Sequence, residues 1–253
     1  MVDDRGELDE PARRQIPATD VVSAAIVARE GIHNPETIEK FSDMIVKLKE
    51  AAMSAGYKIG YQVMYRLGIT PWVHGEPPEP LAALIEGPRS LPPGDMLDIG
   101  CGTGQDAIYA ARHNWNVTGL DVVPRALEQA RRNARAAGTA VRFLHCDIAQ
   151  AAPGELGANY TLLLDGGCLH GLAPAQLRHA IATITDAAKP GAVLLMFAFA
   201  PGRRGPAPRG IDPAEIPALF PQWDLDFTRP ATEIALRGPV RNASPSWHQL
   251  VRR

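Results

Sequence analysis

The stretch "MLDIGCGTGQDA", residues 96–107, constrains the fold of this chain more than any other. An apolar run ends at Ile99, glycines follow at Gly100, Gly102 and Gly104, and a helix-forming sequence begins at once. Such a segment makes a strand, a tight glycine turn, and a helix whose first N–H groups point at whatever sits over the turn. Two patterns overlap in it. Asp98-x-Gly100-x-Gly102-x-Gly104 and Gly102-x-Gly104-x-x-Ala107 both describe nucleotide loops, and they imply different ligands.

The sequence around the loop predicts its setting. After Gly94, short apolar runs alternate with helical patterns. Strands are predicted at "DMLDI" (95–99), "NVTGLD" (116–121), "VRFLHC" (141–146), "YTLLLD" (160–165) and "GAVLLMFAFA" (191–200). Helices are predicted at 104–114, 124–138 and 174–188. This alternation predicts a parallel sheet covered on both faces. The rhythm then changes: a loop at 203–210 and a short helix at 213–220 precede "WDLDFTR" (223–229) and "SWHQLVRR" (246–253), two strands with no helix between them. They are expected to pair antiparallel. The fold class is α/β: a Rossmann-like, seven-stranded, mostly parallel sheet over 94–253, with an antiparallel C-terminal strand.

Upstream, residues 1–18 are charged and Pro-interrupted and are expected to be mobile. Asn34 and Pro35 start a helix carrying Ile38, Phe41, Ile45 and Leu48 at helical spacing. Residues 57–80, rich in aromatics, Gly and Pro, predict a short helix followed by an irregular loop. Residues 19–93 are therefore expected to form a helical N-terminal cap.

Composition limits the function classes. In 253 residues, 45% hydrophobic, a net charge of −2 gives no general affinity for nucleic acid. Cys101, Cys146 and Cys168 are far apart without a CxxC pair, which fits a reducing compartment and no zinc site. The charged N-terminus is unlike a signal peptide, and the run at 192–200 is too short for a bilayer. The expectation is a soluble cytoplasmic protein, a monomer or homodimer, with a small-molecule partner, no metal, no nucleic acid and no membrane.

Three features choose between the two ligands of the glycine loop. Asp121, ending the second strand, suits ribose hydroxyls in either case. Asp98 beside the loop repels a pyrophosphate and attracts an ammonium. Asp147-Ile148 in "HCDIA" (145–149), after the third strand, can accept from an adenine amine and pack on its ring. The helix-free strand pair at the C-terminus is not required by a dinucleotide domain. All three favour S-adenosyl-L-methionine. The alternatives are an NAD-dependent oxidoreductase and a methyltransferase-like binding module without catalysis.

With these motifs in order, residues 57–253 resemble the class I S-adenosylmethionine-dependent methyltransferases. The resemblance implies a cofactor site of Asp98, Gly100, Cys101, Gly102, Gly104, Asp121, Val122, Asp147 and Ile148, with Asp165 after strand four either facing the ligand or capping the next turn. The segment "GITPWVHGEPPEPLAALIE" is similar to that preceding the loop in thiopurine-type small-molecule enzymes, which implies that Trp72 closes over the cofactor. Gly166 stands where the thiopurine family usually has arginine, and Asp165-Gly166-Gly167-Cys168 replaces the "NPPY"-like tetrapeptide of nucleic-acid amino-methylating enzymes. The acceptor is thus expected to be a small aromatic, quinone or heterocyclic molecule methylated on O, N or S. Residues 57–75 are expected to form a lid, with Tyr61, Tyr65 and Trp72 near the sulfonium and Tyr65 toward the acceptor. His170 lies where acceptors approach and is either a general base or a structural hydrogen-bonder; His74 is similarly ambiguous. Arg203, Arg204 and Arg209 are expected on a mobile loop, and the arginines of "ARRNARAAG" on a solvated helix face.

Overall fold

Strand order places the glycine loop. In the computed structural model, seven strands run in the order β3-β2-β1-β4-β5-β7-β6. They are β1 (Asp95–Ile99), β2 (Asn116–Asp121), β3 (Val141–His145), β4 (Tyr160–Asp165), β5 (Ala188–Phe199), β6 (Trp223–Pro230) and β7 (Pro245–Arg252). β1 pairs in parallel with β2 on one side and β4 on the other. The strand order reverses there, so the loops leaving β1 and β4 diverge and open a crevice at their carboxyl ends. β7 is inserted antiparallel between β5 and β6, as the loss of rhythm after residue 220 predicts.

The structure describes residues 58–67, 70, 75–202, 208–232, 234 and 240–253. Met53–Arg253 form one compact unit. The expected tail, the helix from Asn34, and Trp72, His74, Arg203 and Arg204 lie outside the described residues.

Alternate residues of each strand point to opposite faces. Leu97, Ile99, Leu163, Leu194 and Met196 pack on one face against Ile181 and Ile184 of helix Pro174–Ala187. Met96, Leu162, Leu164, Val193 and Leu195 pack on the other against Ala107 and Ala110 of helix Gln105–Arg112 and Leu81 and Ile85 of helix Glu79–Glu86. The strands therefore read as unbroken apolar runs because both faces are covered. Helix Pro124–Ala136 buries Ala126, Leu127, Ala130 and Ala134 and leaves its arginines outward, among them Arg131, which donates to Phe143 O at 3.0 Å.

In chain order, the helices that frame the site are α1 (58–67), α2 (Glu79–Glu86), α3 (Gln105–Arg112), α4 (Pro124–Ala136) and α5 (Pro174–Ala187). Two elements differ from expectation. β5 starts at Ala188, ahead of the predicted Gly191, because Ala188 pairs with Tyr160 across a bulge. α2 begins inside the stretch expected to be an irregular loop; Pro78 caps it, Pro80 sits in its first turn and Leu81 and Ile85 anchor it to the core.

Candidate active site

The loop after β1 approaches its surroundings too closely for side chains. Gly100, Gly102 and Gly104 have φ of +71°, +54° and +79°. A Cβ on Gly100 would stand 2.9 Å from Cys168 Cβ, and one on Gly102 would stand 2.8 Å from the Tyr65 hydroxyl. Gly104 starts α3 in the left-handed conformation that closes the turn. Asn133 of α4 donates to Thr103 O at 3.0 Å and ties the loop down.

Three of the expected acids meet at this crevice. Asp98 is 4% exposed, and its Oδ2 is buried without a hydrogen-bond partner. Burial, reinforced by the carboxylates of Asp106, Asp121 and Asp165, pushes its pKa well above the carboxylate range. An acid in that state lacks a cation, and the ammonium of a methionine moiety is such a cation. Asp121 accepts Gly102 N–H at 2.9 Å through Oδ2 and Val123 N–H at 2.8 Å through Oδ1. It couples the loop to the end of β2, and each oxygen keeps a lone pair for a ribose hydroxyl. Burial raises its pKa against the lowering effect of these amide bonds. Val122 beside it is half-buried, and His145 Nε2 lies 3.2 Å from its carbonyl oxygen.

Asp147, after β3, accepts Ala149 N–H at 3.1 Å through Oδ1, while Oδ2 meets Lys58 Nζ of α1. Ile148 is 3% exposed and packs in the core, so its side chain supports this corner from below. Cys101 N–H donates to Leu120 O at 2.8 Å, and its thiol fits against Gly119, where a Cβ would stand 3.0 Å from the sulfur. Burial pushes the thiols of Cys101 and Cys168 well above their usual range, which keeps both as packing groups rather than nucleophiles.

Two expected site residues serve the main chain. Asp165 is fully buried, and its carboxylate accepts from Gly167 N–H (3.2 Å), Cys168 N–H (2.6 Å) and Leu169 N–H (3.2 Å). Of its two readings, the geometry gives the turn cap. Burial still lifts its pKa to about 7. His170 is 3% exposed and accepts Phe199 N–H at Nδ1, 2.8 Å away, with its ring against Phe199 and Phe197. The tautomer that accepts at Nδ1 carries its proton on Nε2, and this hydrogen bond is the one the structural reading of His170 expects.

Tyr65 stands with its hydroxyl over Gly102 of the glycine loop. Gly166 is exposed, and a Cβ there would meet open space just past β4. Beyond the turn Leu169–Gly171 lies a small cavity of about 170 Å³ lined by His170, Leu172, Leu177, Arg209, Ile211 and Leu219. A larger one, about 470 Å³, sits under α4 at the sheet edge, and none of the loop residues line it. Sequence reasoning missed Lys58, whose contact with Asp147 joins parts of the chain that no motif connects.

Residues 96–191 match the methyltransferase domain family. The chain is 32% identical over 168 residues, 64% of itself and 71% of the other protein, to the 2-heptyl-1-hydroxyquinolin-4(1H)-one methyltransferase of Mycobacteroides abscessus. The chain belongs to the class I S-adenosylmethionine-dependent methyltransferases, of small-molecule type. The methyltransferase shares 38% identity over 80 residues, 32% of itself and 35% of the other protein, with the probable thiol methyltransferase 2 of Arabidopsis thaliana. Its fold matches the Burkholderia thailandensis 1,6-didemethyltoxoflavin-N1-methyltransferase, solved with S-adenosylhomocysteine, at a TM-score of 0.65 and 20% identity over 80% of this chain and 90% of that one. Its methyl donor is S-adenosyl-L-methionine, which decides the two-way reading of the glycine loop against NAD. No helix among the described residues is long and apolar enough to cross a membrane.

Proposed function

We propose that this methyltransferase acts on O, N or S of a small aromatic, quinone or heterocyclic acceptor whose reactive group ionises by itself near neutral pH. The observation that carries the reading is the commitment of His170 Nδ1 and the Asp165 carboxylate to main-chain amides at the edge where the acceptor approaches. His170 Nδ1 is spent on Phe199 N–H, and the Asp165 carboxylate is fully buried beneath three amides, so neither reaches an acceptor to take its proton and the acceptor's own acidity governs its nucleophilicity. The names of two relatives agree with this chemistry, one acting on an N-hydroxyquinolone and the other on thiols.

Asp98 holds the ammonium of the donor, Asp121 its ribose and Asp147 its adenine amine, while the glycine loop passes beneath. The bound donor supplies a methyl group already activated by a sulfonium. The protein's work is to align the acceptor and exclude water, with Tyr61 and Tyr65 as aromatic neighbours of the cation. The open space beside Gly166 leaves room for an acceptor to approach the edge of β4, and the small cavity beyond it mixes Leu172, Leu177, Ile211 and Leu219 with Arg178, Arg209 and Glu215.

A series of substituted thiophenols and phenols tests the reading. At fixed pH, kcat/KM should follow the ionised fraction of the acceptor. Equal rates for weakly acidic alcohols and for acceptors that are already anionic would overturn it.

A further inference from the structure

The acid expected to recognise adenine is already occupied. Both oxygens of Asp147 are engaged: Oδ1 accepts Ala149 N–H, and Oδ2 meets Lys58 Nζ. Oδ2 has no appreciable accessible surface, so an amine arriving from the crevice cannot reach it while Lys58 stays in place. The same helix covers the other end of the site. Seven residues on from Lys58, about two helical turns, Tyr65 sets its hydroxyl against Gly102. Ile59, Val63 and Leu67 face outward at 60%, 47% and 67% exposure, whereas Lys58, Tyr61, Met64 and Tyr65 are half-buried. α1 thus has an inward face made of one cation, two phenols and a thioether, laid over the acid and the loop that hold the two ends of the cofactor.

We propose that Lys58 latches this helix shut and sets purine selectivity: its ammonium occupies the Asp147 oxygen that the 6-amino group of the purine must take, and cofactor binding exchanges one donor for the other. The proposal rests on the reading of Asp147 as the adenine acid. The exchange balances chemically. One ion pair is broken and one N–H···O⁻ hydrogen bond is made, no proton moves, and Lys58 is released to solvent. The latch is partly exposed, with side-chain exposures of 29% for Lys58 and 20% for Asp147, so it is weak enough to open. A purine carrying a 6-oxo group has no donor for Asp147, but its oxygen can accept from Lys58. The lysine therefore blunts discrimination between adenine and hypoxanthine forms of the ligand.

The test is calorimetry with S-adenosylhomocysteine and S-inosylhomocysteine on the full-length wild type, Lys58→Met and Lys58→Arg. Met keeps the apolar stem and removes the charge. Lys58→Met should bind S-adenosylhomocysteine about two- to fivefold tighter, the range of a partly exposed ion pair. It should also discriminate more strongly against S-inosylhomocysteine, while Lys58→Arg behaves as wild type. The difference between wild type and Lys58→Met should shrink from about 0.01 M to about 1 M salt, as the screening length falls from about 30 Å to about 3 Å. Unchanged or weaker S-adenosylhomocysteine binding in Lys58→Met overturns the latch. Asp147→Asn separates this from failure of the underlying reading: if that variant keeps wild-type discrimination between the two ligands, Asp147 is not the adenine acid and both ideas fall together.

Discussion

Binding of S-adenosylhomocysteine should release a proton from Asp98. In the free protein this carboxyl is buried among Asp106, Asp121 and Asp165, has an unpartnered Oδ2, and titrates well above its ordinary range. The ligand's ammonium supplies the missing cation and favours the ionised form. The sign follows from the two states. Asp98 is protonated in the free protein below its raised pKa and ionised in the complex, so affinity rises with pH across that interval. The limiting slope is about tenfold per pH unit. A charge-assisted hydrogen bond contributes about 1.5–3 kcal/mol, so Asp98→Asn should weaken binding roughly 10- to 150-fold at the upper end of the range. It should also flatten the pH profile. Calorimetry between about pH 5.5 and 7.5, below the titration of an α-amino group, in buffers of different ionisation enthalpy, reads both affinity and proton release. Methylthioadenosine, which lacks the ammonium, is the control and should show no Asp98-dependent slope. A pH-independent affinity in wild type, or the same slope in Asp98→Asn, would refute the pairing.

Three further outcomes are expected. Asp121→Ala removes the acceptor of Gly102 and Val123 N–H as well as the ribose contacts, so S-adenosylhomocysteine affinity should fall at least about tenfold; unchanged binding in a folded variant contradicts the assignment. His170→Ala removes the buried acceptor of Phe199 N–H and the ring packed against Phe197 and Phe199; loss of such a buried hydrogen bond costs about 1–3 kcal/mol and should lower Tm by roughly 2–10 °C while slowing all acceptors alike; a loss confined to weakly acidic hydroxyl acceptors would support the base role instead. Deleting residues 244–253 removes β7 from between β5 and β6 together with buried Trp247 and Leu250, and the protein should become insoluble; a soluble truncation that still binds cofactor would contradict the strand's place in the sheet.

β1, β2 and β4 begin and end where the sequence predicts because each is an apolar run closed by residues that stop it. The start of β5 was hidden because "AKPG" carries no strand signal; the pairing of Ala188 with Tyr160 extends the strand, and that is a tertiary effect. α2 was obscured by its own prolines, which mark a helix start as readily as a loop. At the site, motif spacing located Asp98, Asp121, Asp147 and the glycines. It could not distinguish a carboxylate that meets a ligand from one that caps a turn, and Asp165 shows why: three amides of the following turn fold back upon it. His170 is the same case, its Nδ1 taken up by a β5 amide distant in sequence. Lys58 had no signal, since a lone lysine before an aromatic stretch is ordinary until the fold brings it to Asp147.

The most direct measurement is turnover with methyl-deuterated S-adenosyl-L-methionine across a panel of thiols, phenols, hydroxyquinolones and N-heterocycles, followed by mass spectrometry. The account predicts S-adenosylhomocysteine formation that requires an acceptor, a product carrying the labelled methyl group, and a preference for acceptors that are already ionised. Tight S-adenosylhomocysteine binding with no labelled product from any acceptor of these classes would contradict it.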